Sequence, residues 1–447
     1  MKGLVIAGTQ SGVGKTSVTA GVIGALRARG LRVAPFKAGP DYLDPTFHSV
    51  AAGQACRNLD SWIMPRETIV RSFRRAGTRA DVAIVEGVMG LFDGRSGEDE
   101  AGSTAQLAKF LDLPVVLVVD ASAMARSAAA MVLGYARLDP EVKVAGVVLN
   151  RIAGERHYEA AKVAIERQSG VPVLGMLPRD EGLALPERHL GLISAMERDA
   201  SAGLARLADA VGRQIDLDAL LRLAADVAAP EPEDERPVAS RVPIAIARDR
   251  AFAFYYEDGL DELRAQGAEL IPFSPLGDQR LPAGARGVYL GGGYPEVFAA
   301  ELAANQAMHG ALRDHAANGL PIYAECGGHM YLGQSLTTAD GAAHAMVGLT
   351  PVRSTISGTR LSLGYRSATA LRDGPVARAG EILRGHEFHL SAAEPLPDET
   401  ACWEFDQPQR ADGFARGNLW SSYLHLHFGA APQAAARFIQ TCAGETR

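Results

Sequence analysis

The chain lacks any apolar run long enough to cross a membrane, and its cysteines form no pattern that predicts cross-linking. A membrane-spanning helix needs about 20 mostly apolar residues, and no stretch of the sequence approaches that length. The four cysteines lie far apart, without a CxxC pair or the Cys/His spacing of zinc sites: Cys56, Cys326, Cys402 and Cys442. We therefore expect a cytoplasmic protein without a disulfide framework or a structural zinc ion.

An excess of positive charge is also missing. The chain has 45 Lys and Arg against 52 Asp and Glu, which gives a formal net charge of −7 and a pI near 5.9. A nonspecific nucleic-acid binder usually carries a basic face and has a pI above about 9. We therefore expect neither nucleic acid nor a membrane as a partner, and an anionic substrate would need a local basic pocket.

The sequence does contain enough apolar residues for two folded domains. At 447 residues with 47% hydrophobic content, the chain is too long for one hydrophobic core. Short apolar runs alternate with amphipathic segments, which is typical of a parallel α/β sheet with flanking helices. In the first predicted domain, residues 1–195, these runs are Lys2–Gly8, Val82–Val88, Pro114–Ala121, Val144–Asn150 and Val171–Leu177.

A second α/β domain is predicted over residues 241–447. Between the two domains, residues 196–240 form a helical segment and a linker rich in proline and acidic residues, PEPEDERPVAS. The second domain has predicted strands at Val242–Ala247, Gly287–Leu290 and Pro321–Cys326, and predicted helices over Gly259–Gly267 and Val297–Asn318.

The first predicted strand leads into GTQSGVGKTS, a glycine-rich turn that opens an amphipathic helix. Such a turn directs backbone N–H groups and a helix N-terminus at the phosphates of a nucleotide. Lys15 can reach the outer phosphates, and the Thr16 hydroxyl suits a bound Mg²⁺. The strict GxxxxGK[ST] pattern is missed by one position, because a threonine stands where the first glycine is expected. The predicted ATP-binding amides are those of Gly12, Val13 and Gly14.

Two acidic residues follow in loops or at the ends of predicted strands, where α/β sheets place their ligands. Asp41 lies in FKAGPDYLDP and Glu86 lies in VAIVEGVMG. Either carboxylate could complete the oxygen shell of a magnesium ion beside Thr16. The alternative for each is a solvated loop acid. Lys37 could neutralise a phosphate or a substrate carboxylate, or it could be an exposed surface lysine.

In the second domain, the segment LPIYAECGGHMYLG places Cys326 between an apolar strand and a helix. A nucleophile on such a sharp turn is exposed, and the helix N-terminus is expected to lower the thiol pKa. The upstream segment GVYLGGGYPE supplies further amides, so the predicted oxyanion donors are Gly292, Gly293 and Gly327. Downstream, WSSYLHLHF offers His425 as the base for the thiol. Alone, either residue is more often part of a core; the combination favours catalysis.

A further polar cluster lies in RGHEFHLS, where the residues of interest are His386, Glu387 and His389. A role at the substrate or between domains and a solvated strand face both remain open for this cluster.

The motifs of the first domain resemble those of the dethiobiotin synthetase-like ATPases, which activate a substrate carboxylate with ATP. The resemblance implies that Asp41 and Glu86 bind Mg²⁺. It also implies that Asn150, at the end of the strand VAGVVLN, approaches the adenine. Asn150 could equally cap a turn, as strand-end asparagines often do.

The order of glycine run, Cys-Gly-Gly and Tyr-Leu-His in the second domain resembles the triad (class I) glutamine amidotransferases. In that family the third member of the triad is a glutamate two residues after the histidine. Here that position is His427. The difference implies that His425 is oriented less strongly, or that glutamine hydrolysis is slow until the synthetase site is filled.

Both domains together resemble the cobyrinate or hydrogenobyrinate a,c-diamide synthases of cobalamin biosynthesis. The resemblance rests on seven motifs in order: GTQSGVGKT, KAGPDYLDP, EGVMGLFDG, LGGGYPE, ECGGHMYLG, GHEFHLS and SYLHLHF. It implies that ATP and L-glutamine are used to amidate the a and c carboxylates of a corrin ring through an acyl phosphate. Tyr42 and Asp44, beside Lys37 and Asp41, become candidates for corrin recognition, with a structural turn as the alternative. A homodimer is compatible with this prediction.

Three other hypotheses remain open from the sequence. The nearest is an amidase of the same class that acts on another tetrapyrrole, such as nickel-sirohydrochlorin, or on the four later cobyrate carboxylates. A second is a partition-type ATPase switch, which shares variant phosphate loops and βαβ sheets and has no use for Cys326. A third is a redox-sensing or structural second domain, in which Cys326 would be buried or disulfide-linked.

Overall fold

The computed structural model describes residues 1–185, 187–188, 191–192, 200–228, 241–394 and 397–445. The chain divides into two compact units, Met1–Glu233 and Asp234–Arg447. The predicted linker at residues 230–240 lies outside the described residues. None of the described helices combines the length and the apolar composition that a membrane span requires.

The first unit alternates strands and helices, as the apolar runs predict. In chain order, its elements are β1 Lys2–Gly8, α1 Lys15–Ala28, β2 Val33–Ala38, α2 Asp44–Ala52, β3 Arg57–Leu59, α3 Arg66–Gly77, β4 Val82–Glu86, α4 Thr104–Leu111, β5 Val115–Asp120, α5 Ser127–Leu138, β6 Val144–Ile152, α6 Glu155–Ser169, β7 Val173–Pro178, the 3₁₀ helix Glu181–Leu183, β8 Glu187–Arg188, β9 Gly191–Leu192, α7 Ser201–Gln214, α8 Leu217–Leu223 and β10 Ala225–Asp226.

The main sheet of this unit has the strand order β3-β2-β4-β1-β5-β6-β7, with β10 added antiparallel to β1. All pairs along that order are parallel. Both Ile6 and Lys37 lie opposite Glu86 in the register, so β1, β2 and β4 end at the same edge of the sheet. Residues that follow these strands therefore converge, which is the usual position of a ligand site in a parallel sheet.

Two helices beyond residue 195 belong to the first unit. Val211 of α7 and Leu217 of α8 lie in one buried cluster with Val18 and Val22 of α1. The prediction that the first domain ends near residue 195 leaves these helices outside it. In the structure their apolar faces cover α1, because amphipathic helices need a surface against which to bury that face.

The second unit combines a parallel sheet with antiparallel strands. Its elements are β11 Val242–Ala247, α9 Glu257–Ala265, β12 Ala268–Phe273, β13 Gly287–Leu290, α10 Ala299–Ala304, α11 Gln306–Ala317, β14 Ile322–Glu325, α12 Gly327–Leu332, β15 Ser335–Thr337, β16 Ala343–Ala345, β17 Arg353–Thr355, β18 Ser362–Ala370, β19 Ile382–His389, β20 Ala392–Ala393, the 3₁₀ helix Asp398–Thr400, β21 Trp403–Asp406, β22 Gln409–Asp412, β23 Phe414–Arg416, β24 Leu419–Ser422, β25 His425–Leu426 and α13 Pro432–Ala443.

Three sheets organise these strands. The central sheet runs β12-β11-β13-β14-β24-β23, parallel except for the last pair. An antiparallel sheet runs β22-β21-β18-β19-β25, and a smaller mixed sheet runs β16-β15-β17-β20. Buried residues lie on both sides of the central sheet, in one cluster around Trp403 and Trp420 and another around Tyr331. The predicted α/β class of both units is thus confirmed.

Candidate active sites

The glycine-rich turn of the first unit forms an open loop between β1 and α1. Gly14 is the N-cap of α1 with φ 91°, and Gly12 has φ 76°. Within the described residues, no side chain caps the N-terminus of α1. The first N–H groups of the helix therefore point into the loop without a capping acceptor. A Cβ on Gly14 would lie 2.2 Å from Asn150 Nδ2, so both the backbone conformation and the close approach require glycine. The arrangement provides amides and a helix N-terminus for an anion.

Lys15 is the first residue of α1, and its Nζ reaches back to the loop and donates to the carbonyl of Gln10 at 3.1 Å. Burial and the neighbouring charge of Lys37 lower the pKa of Lys15 to about 8. Among the described residues, the Gln10 carbonyl is the acceptor of this buried ammonium. An anionic partner such as a phosphate would therefore stabilise it further.

Asn150 supports the loop from the end of β6. Its Nδ2 donates to the carbonyl of Val13 at 2.8 Å, and its Oδ1 accepts the N–H of Arg151 at 2.9 Å. Arg151 in turn donates to the carbonyl of Gly12 at 2.8 Å. The side chain of Asn150 therefore holds the turn, and the contact with adenine stays a prediction.

Thr16, Lys37 and Glu86 meet at the carboxyl edge of the sheet. Thr16 Oγ1 donates to Glu86 Oε1 at 2.9 Å, and Lys37 Nζ lies 2.9 Å from the same oxygen. Burial alone would raise the pKa of Glu86, but the charges of Lys37 and His48 outweigh it and hold that pKa far below its usual range. Glu86 is thus a buried, ionised carboxylate beside the phosphate loop.

The interpretation of Lys37 as a free cation for a phosphate or a substrate carboxylate does not match its surroundings. Its ammonium also contacts Asp44 Oδ2 at 2.5 Å and the carbonyl of Gly87 at 3.2 Å. All three donors of the ammonium are therefore engaged within the protein. The surface alternative is wrong, because Lys37 is buried. The role of Lys37 towards a phosphate or a substrate carboxylate stays a prediction.

Asp41 and Tyr42 form a turn that precedes α2. Asp41 Oδ1 accepts the N–H groups of Leu43 at 2.7 Å and of Asp44 at 3.0 Å, so this oxygen stabilises the turn. Tyr42 is buried. The predicted role of this segment in corrin recognition is not visible in these local contacts and stays a prediction.

Of the three predicted magnesium ligands, Thr16 and Glu86 are in direct contact. One oxygen of Asp41 is engaged in its own turn, and the magnesium role of Asp41 stays a prediction. Thr16 and Glu86 supply a hydroxyl and a carboxylate, which are the oxygen ligands that Mg²⁺ prefers. Within the described ranges, no group of three or more His, Cys, Asp or Glu side chains is arranged to hold a metal ion. The two residues fit an ion that takes its remaining ligands from phosphates and water, as Mg²⁺ commonly does.

His48 is a residue of this site that the sequence reasoning missed. It is fully buried on α2, and its Nε2 lies in close contact with Glu86 Oε2. A histidine in contact with a carboxylate helps to fix the orientation of that carboxylate. A single histidine within an amphipathic helix carries no spacing pattern that would distinguish it from a structural residue.

Cys326 occupies a strained turn between β14 and α12. Its φ is 46° and its ψ is −102°, a combination that non-glycine residues rarely adopt. Its N–H donates to the carbonyl of Ser422 at 2.8 Å, and its Sγ lies 3.9 Å from the carbonyl of Phe388. The sharp strand-to-helix turn was predicted, and its strain is typical of functional sites.

The predictions of an exposed thiol and of a lowered thiol pKa are both wrong for the free protein, because Cys326 is buried. Burial raises the pKa of Cys326, and the negative charge of Glu296 adds to the effect. The hydrogen bond from the Gly327 amide opposes this shift but is too weak to reverse it. The thiol is therefore neutral in the free protein, and a nucleophilic role would require a base.

The predicted oxyanion segments lie together beside Cys326. A Cβ on Gly327 would be 3.1 Å from the backbone nitrogen of Gly293. A Cβ on Gly292 would be 2.5 Å from His425 Cε1, so glycine is needed for the histidine to lie there. The amide of Gly291 is already used, since it donates to the hydroxyl of Tyr255 at 2.8 Å.

His425 is fully buried on β25, and its ring stacks on His386 with centroids 5.0 Å apart. Its Nδ1 lies 3.6 Å from Glu325 Oε2. Glu325 was missed in the sequence, although an acidic residue that ends an apolar strand next to the nucleophile was a visible signal.

The cluster in β19 is buried, which excludes the solvated strand face. Glu387 accepts from Arg366 Nε at 2.6 Å and from Arg410 Nη2 at 2.5 Å. His386 contacts the hydroxyl of Tyr256 at 3.0 Å through Nδ1. The remaining cysteines, Cys56, Cys402 and Cys442, are free and buried, and Cys326 forms no disulfide either.

Comparisons with known proteins find a matching family for each unit. Residues 4–193 match the CobQ/CobB/MinD/ParA nucleotide binding domain, and residues 243–433 match the CobB/CobQ-like glutamine amidotransferase domain. The chain is 46% identical to the cobyrinate a,c-diamide synthase of Syntrophotalea carbinolica, over 99% of each chain. It is 43% identical to the protein of that name from Listeria innocua, over 96% of each chain.

A relative named for a different ring has a similar level of identity. The hydrogenobyrinate a,c-diamide synthase of Streptomyces coelicolor is 41% identical over 98% of this chain and 97% of its own length. Full-length identity at this level to proteins that are all named a,c-diamide synthases identifies the family. The chain therefore belongs to the cobyrinate a,c-diamide synthase family, and it is an amidating ligase that combines a nucleotide-binding domain with a glutamine amidotransferase domain.

Proposed function

We propose that this chain uses ATP and glutamine to amidate the a and c carboxylates of a corrin ring, either cobyrinate or hydrogenobyrinate. The carrying observation is the seating of Cys326 on a strained turn, beside a glycine segment that meets His425 at Gly292. The other unit of the chain presents Lys15 and Thr16 at the start of the helix that follows a glycine-rich loop. The names of the full-length relatives support the choice of substrate.

The first unit would activate the ring carboxylate. The loop amides and Lys15 bind the phosphates of ATP, and one carboxylate oxygen of the ring attacks the γ-phosphorus, giving an acyl phosphate and ADP. Thr16 and Glu86 would hold Mg²⁺, which neutralises charge on the transferring phosphoryl group. Because Lys37 and His48 surround Glu86, its carboxylate stays ionised and fixed in place.

The second unit would supply the ammonia. His425 takes the proton of the Cys326 thiol, and the resulting thiolate attacks the side-chain amide carbon of glutamine. Amides near Gly292, Gly293 and Gly327 would stabilise the oxyanion. Collapse of this intermediate, with the proton returned to nitrogen, releases ammonia and leaves a thioester that water hydrolyses to glutamate. The ammonia attacks the acyl phosphate, which expels phosphate and gives the carboxamide.

The substrate is tested by incubating the protein with ATP, glutamine and each candidate ring. The protein should amidate a corrin ring twice, and it should accept either both the cobalt-loaded and the metal-free ring or one of the two in preference. Mass spectrometry measures this, since each amidation replaces a hydroxyl by an amino group and changes the mass accordingly. Amidation of nickel-sirohydrochlorin alone, or of the later cobyrate carboxylates alone, would overturn the proposed substrate.

The division of labour is tested with Cys326→Ala. This variant should lose glutamine-dependent amidation and keep ammonium-dependent amidation, because the synthetase site does not use the thiol. If the variant keeps the activity with glutamine, the proposed mechanism is wrong. A partition-type switch would instead show ATP-driven dimerisation and no amide product with either nitrogen source.

A further inference from the structure

His425 lacks the usual orienting residue two positions further along the chain. His427 stands there, and its Nδ1 accepts the N–H of Ala430 at 3.1 Å. Its ring packs on Tyr256 at 4.6 Å between centroids. His427 is thus engaged in the turn that follows β25, and it carries no carboxylate to balance a charged imidazole.

Glu325 provides a carboxylate on the appropriate side of His425. The Oε2 of Glu325 lies 3.6 Å from His425 Nδ1, and both side chains are buried. The opposite side of the ring faces the glycine turn, since a Cβ on Gly292 would lie 2.5 Å from Cε1 and 3.4 Å from Nε2. The ring therefore has Nδ1 towards the acid and Nε2 towards the oxyanion segment that adjoins Cys326.

Three donors hold the carboxylate of Glu325 in position. Tyr323 donates to Oε1 at 2.6 Å, Tyr289 donates to Oε2 at 3.1 Å, and the N–H of Leu426 donates to Oε1 at 3.0 Å. Burial and the charge of Glu325 raise the pKa of both tyrosines well above the usual range, so their hydroxyls remain neutral donors. The Leu426 amide ties the acid directly to the strand that carries His425.

We propose that Glu325 is the positioning residue of the glutaminase and takes the place of the missing third triad member. When Nε2 of His425 accepts the Cys326 proton, the negative charge of Glu325 stabilises the imidazolium through Nδ1–H. At 3.6 Å the two atoms are too far apart for a hydrogen bond, and such contacts often shorten only when substrate is bound. The proton returns from Nε2 to the leaving nitrogen, so Glu325 itself gains none.

This inference rests on the proposed function, and its test separates the two. Glu325→Gln keeps the size and removes the charge, so kcat for glutamine hydrolysis should fall about 10² to 10⁴-fold, as for the acid of other triads. KM for glutamine should stay within about threefold, because Glu325 does not touch the substrate. Glu325→Asp should recover about tenfold of the loss, since it restores the charge on a shorter arm.

Two controls define the remaining outcomes. His427→Gln should change kcat less than about threefold, and Tyr323→Phe, which removes one donor to Glu325, should lower it about threefold to tenfold. Ammonium-dependent amidation reports folding for each variant, and Tyr323→Phe carries the test if Glu325→Gln does not fold.

If Glu325→Gln keeps its kcat while Cys326→Ala loses glutamine-dependent amidation, the role of Glu325 is overturned and the proposed function stands. If Cys326→Ala keeps that activity, the proposed function falls first. An equal loss in kcat from His427→Gln would assign the orientation to His427.

Discussion

Thr16 donates a hydrogen bond to Glu86 at 2.9 Å, which joins the first turn of α1 to the end of β4. The contact places a hydroxyl and a buried carboxylate directly beside the phosphate loop. The two residues are distant in the sequence. They meet because β1, which precedes α1, pairs in parallel with β4.

Glu86→Gln tests this contact. The substitution removes the charge of a proposed metal ligand, so amidation should fall at least about 100-fold with either glutamine or ammonium as the nitrogen source. Product formation at saturating ATP and Mg²⁺ is the measurement. The exposed residue Glu98 provides a matched control, since Glu98→Gln should have no effect. A Glu86→Gln protein with normal ammonium-dependent activity would exclude Glu86 from the synthetase chemistry.

The backbone conformation of Cys326 should reverse the usual order of stability between a glycine and an alanine variant at this position. At most positions glycine is less stable than alanine by about 0.5 to 1 kcal/mol, because glycine loses more conformational freedom on folding. With φ at 46°, alanine retains the strain of this turn and glycine removes it. Cys326→Gly should therefore be at least as stable as Cys326→Ala in denaturant unfolding. Greater stability of the alanine variant would show that the turn is not strained.

Gly292→Ala should disable the glutaminase selectively. The added Cβ would meet His425 Cε1 at 2.5 Å and displace the ring. Because misplacement of a catalytic group by about 1 Å can cost about 10²-fold, glutamine hydrolysis should fall by at least that factor. Gly310→Ala, on α11, is the control, since nothing lies within 4 Å of its Cβ position. Unchanged hydrolysis in Gly292→Ala would mean that His425 is not the base.

The buried side chain of His329 should make the protein less stable in acid. It is buried against Ser421, with Nδ1 2.9 Å from Oγ, and burial together with the charge of His389 lowers its pKa to about 3. In the unfolded chain the pKa returns to about 6.5. The stabilisation of the folded state that comes from keeping His329 neutral is therefore complete above pH 6.5. It is lost as the pH falls towards 3, by about 1.4 kcal/mol of unfolding free energy per pH unit.

Urea unfolding at several pH values, followed through Trp403 and Trp420, measures this slope. His329→Gln should show a shallower decline below about pH 6.5, because it removes the proton uptake of the unfolded state. His344→Gln changes a half-exposed histidine and should leave the slope as it is. Equal slopes in the native protein and His329→Gln would contradict the prediction.

Strands that consist of one apolar run could be predicted from the sequence, and those with charges or proline could not. The bounds of β1 agree with prediction, because all of its core residues are apolar and buried. β2 was missed since it contains Pro35 and Lys37, residues that rarely occupy a buried strand. Only the pairing of Lys37 with Glu86 and Asp44, which are distant in sequence, makes that burial favourable.

A similar limit applies to helices and to the site. The helix predicted over Val297–Asn318 divides into α10 and α11 at Asn305, whose side chain accepts the N–H of Met308 and anchors the break. In the site, Cys326 and His425 follow from motif order. The contact of Glu325 with Tyr289 depends on the neighbouring strand, which no local pattern reveals.

The glutaminase pair is fixed by one strand pairing. Cys326 follows β14 and bonds through its N–H to Ser422 at the end of β24, three residues before His425. The proposed nucleophile and the proposed base can thus approach only when these two parallel strands, which come from remote parts of the chain, have paired in the correct register. Glutaminase activity is therefore a reporter of late, non-local folding: during refolding it should return only after β14 and β24 have joined, however early the individual helices form.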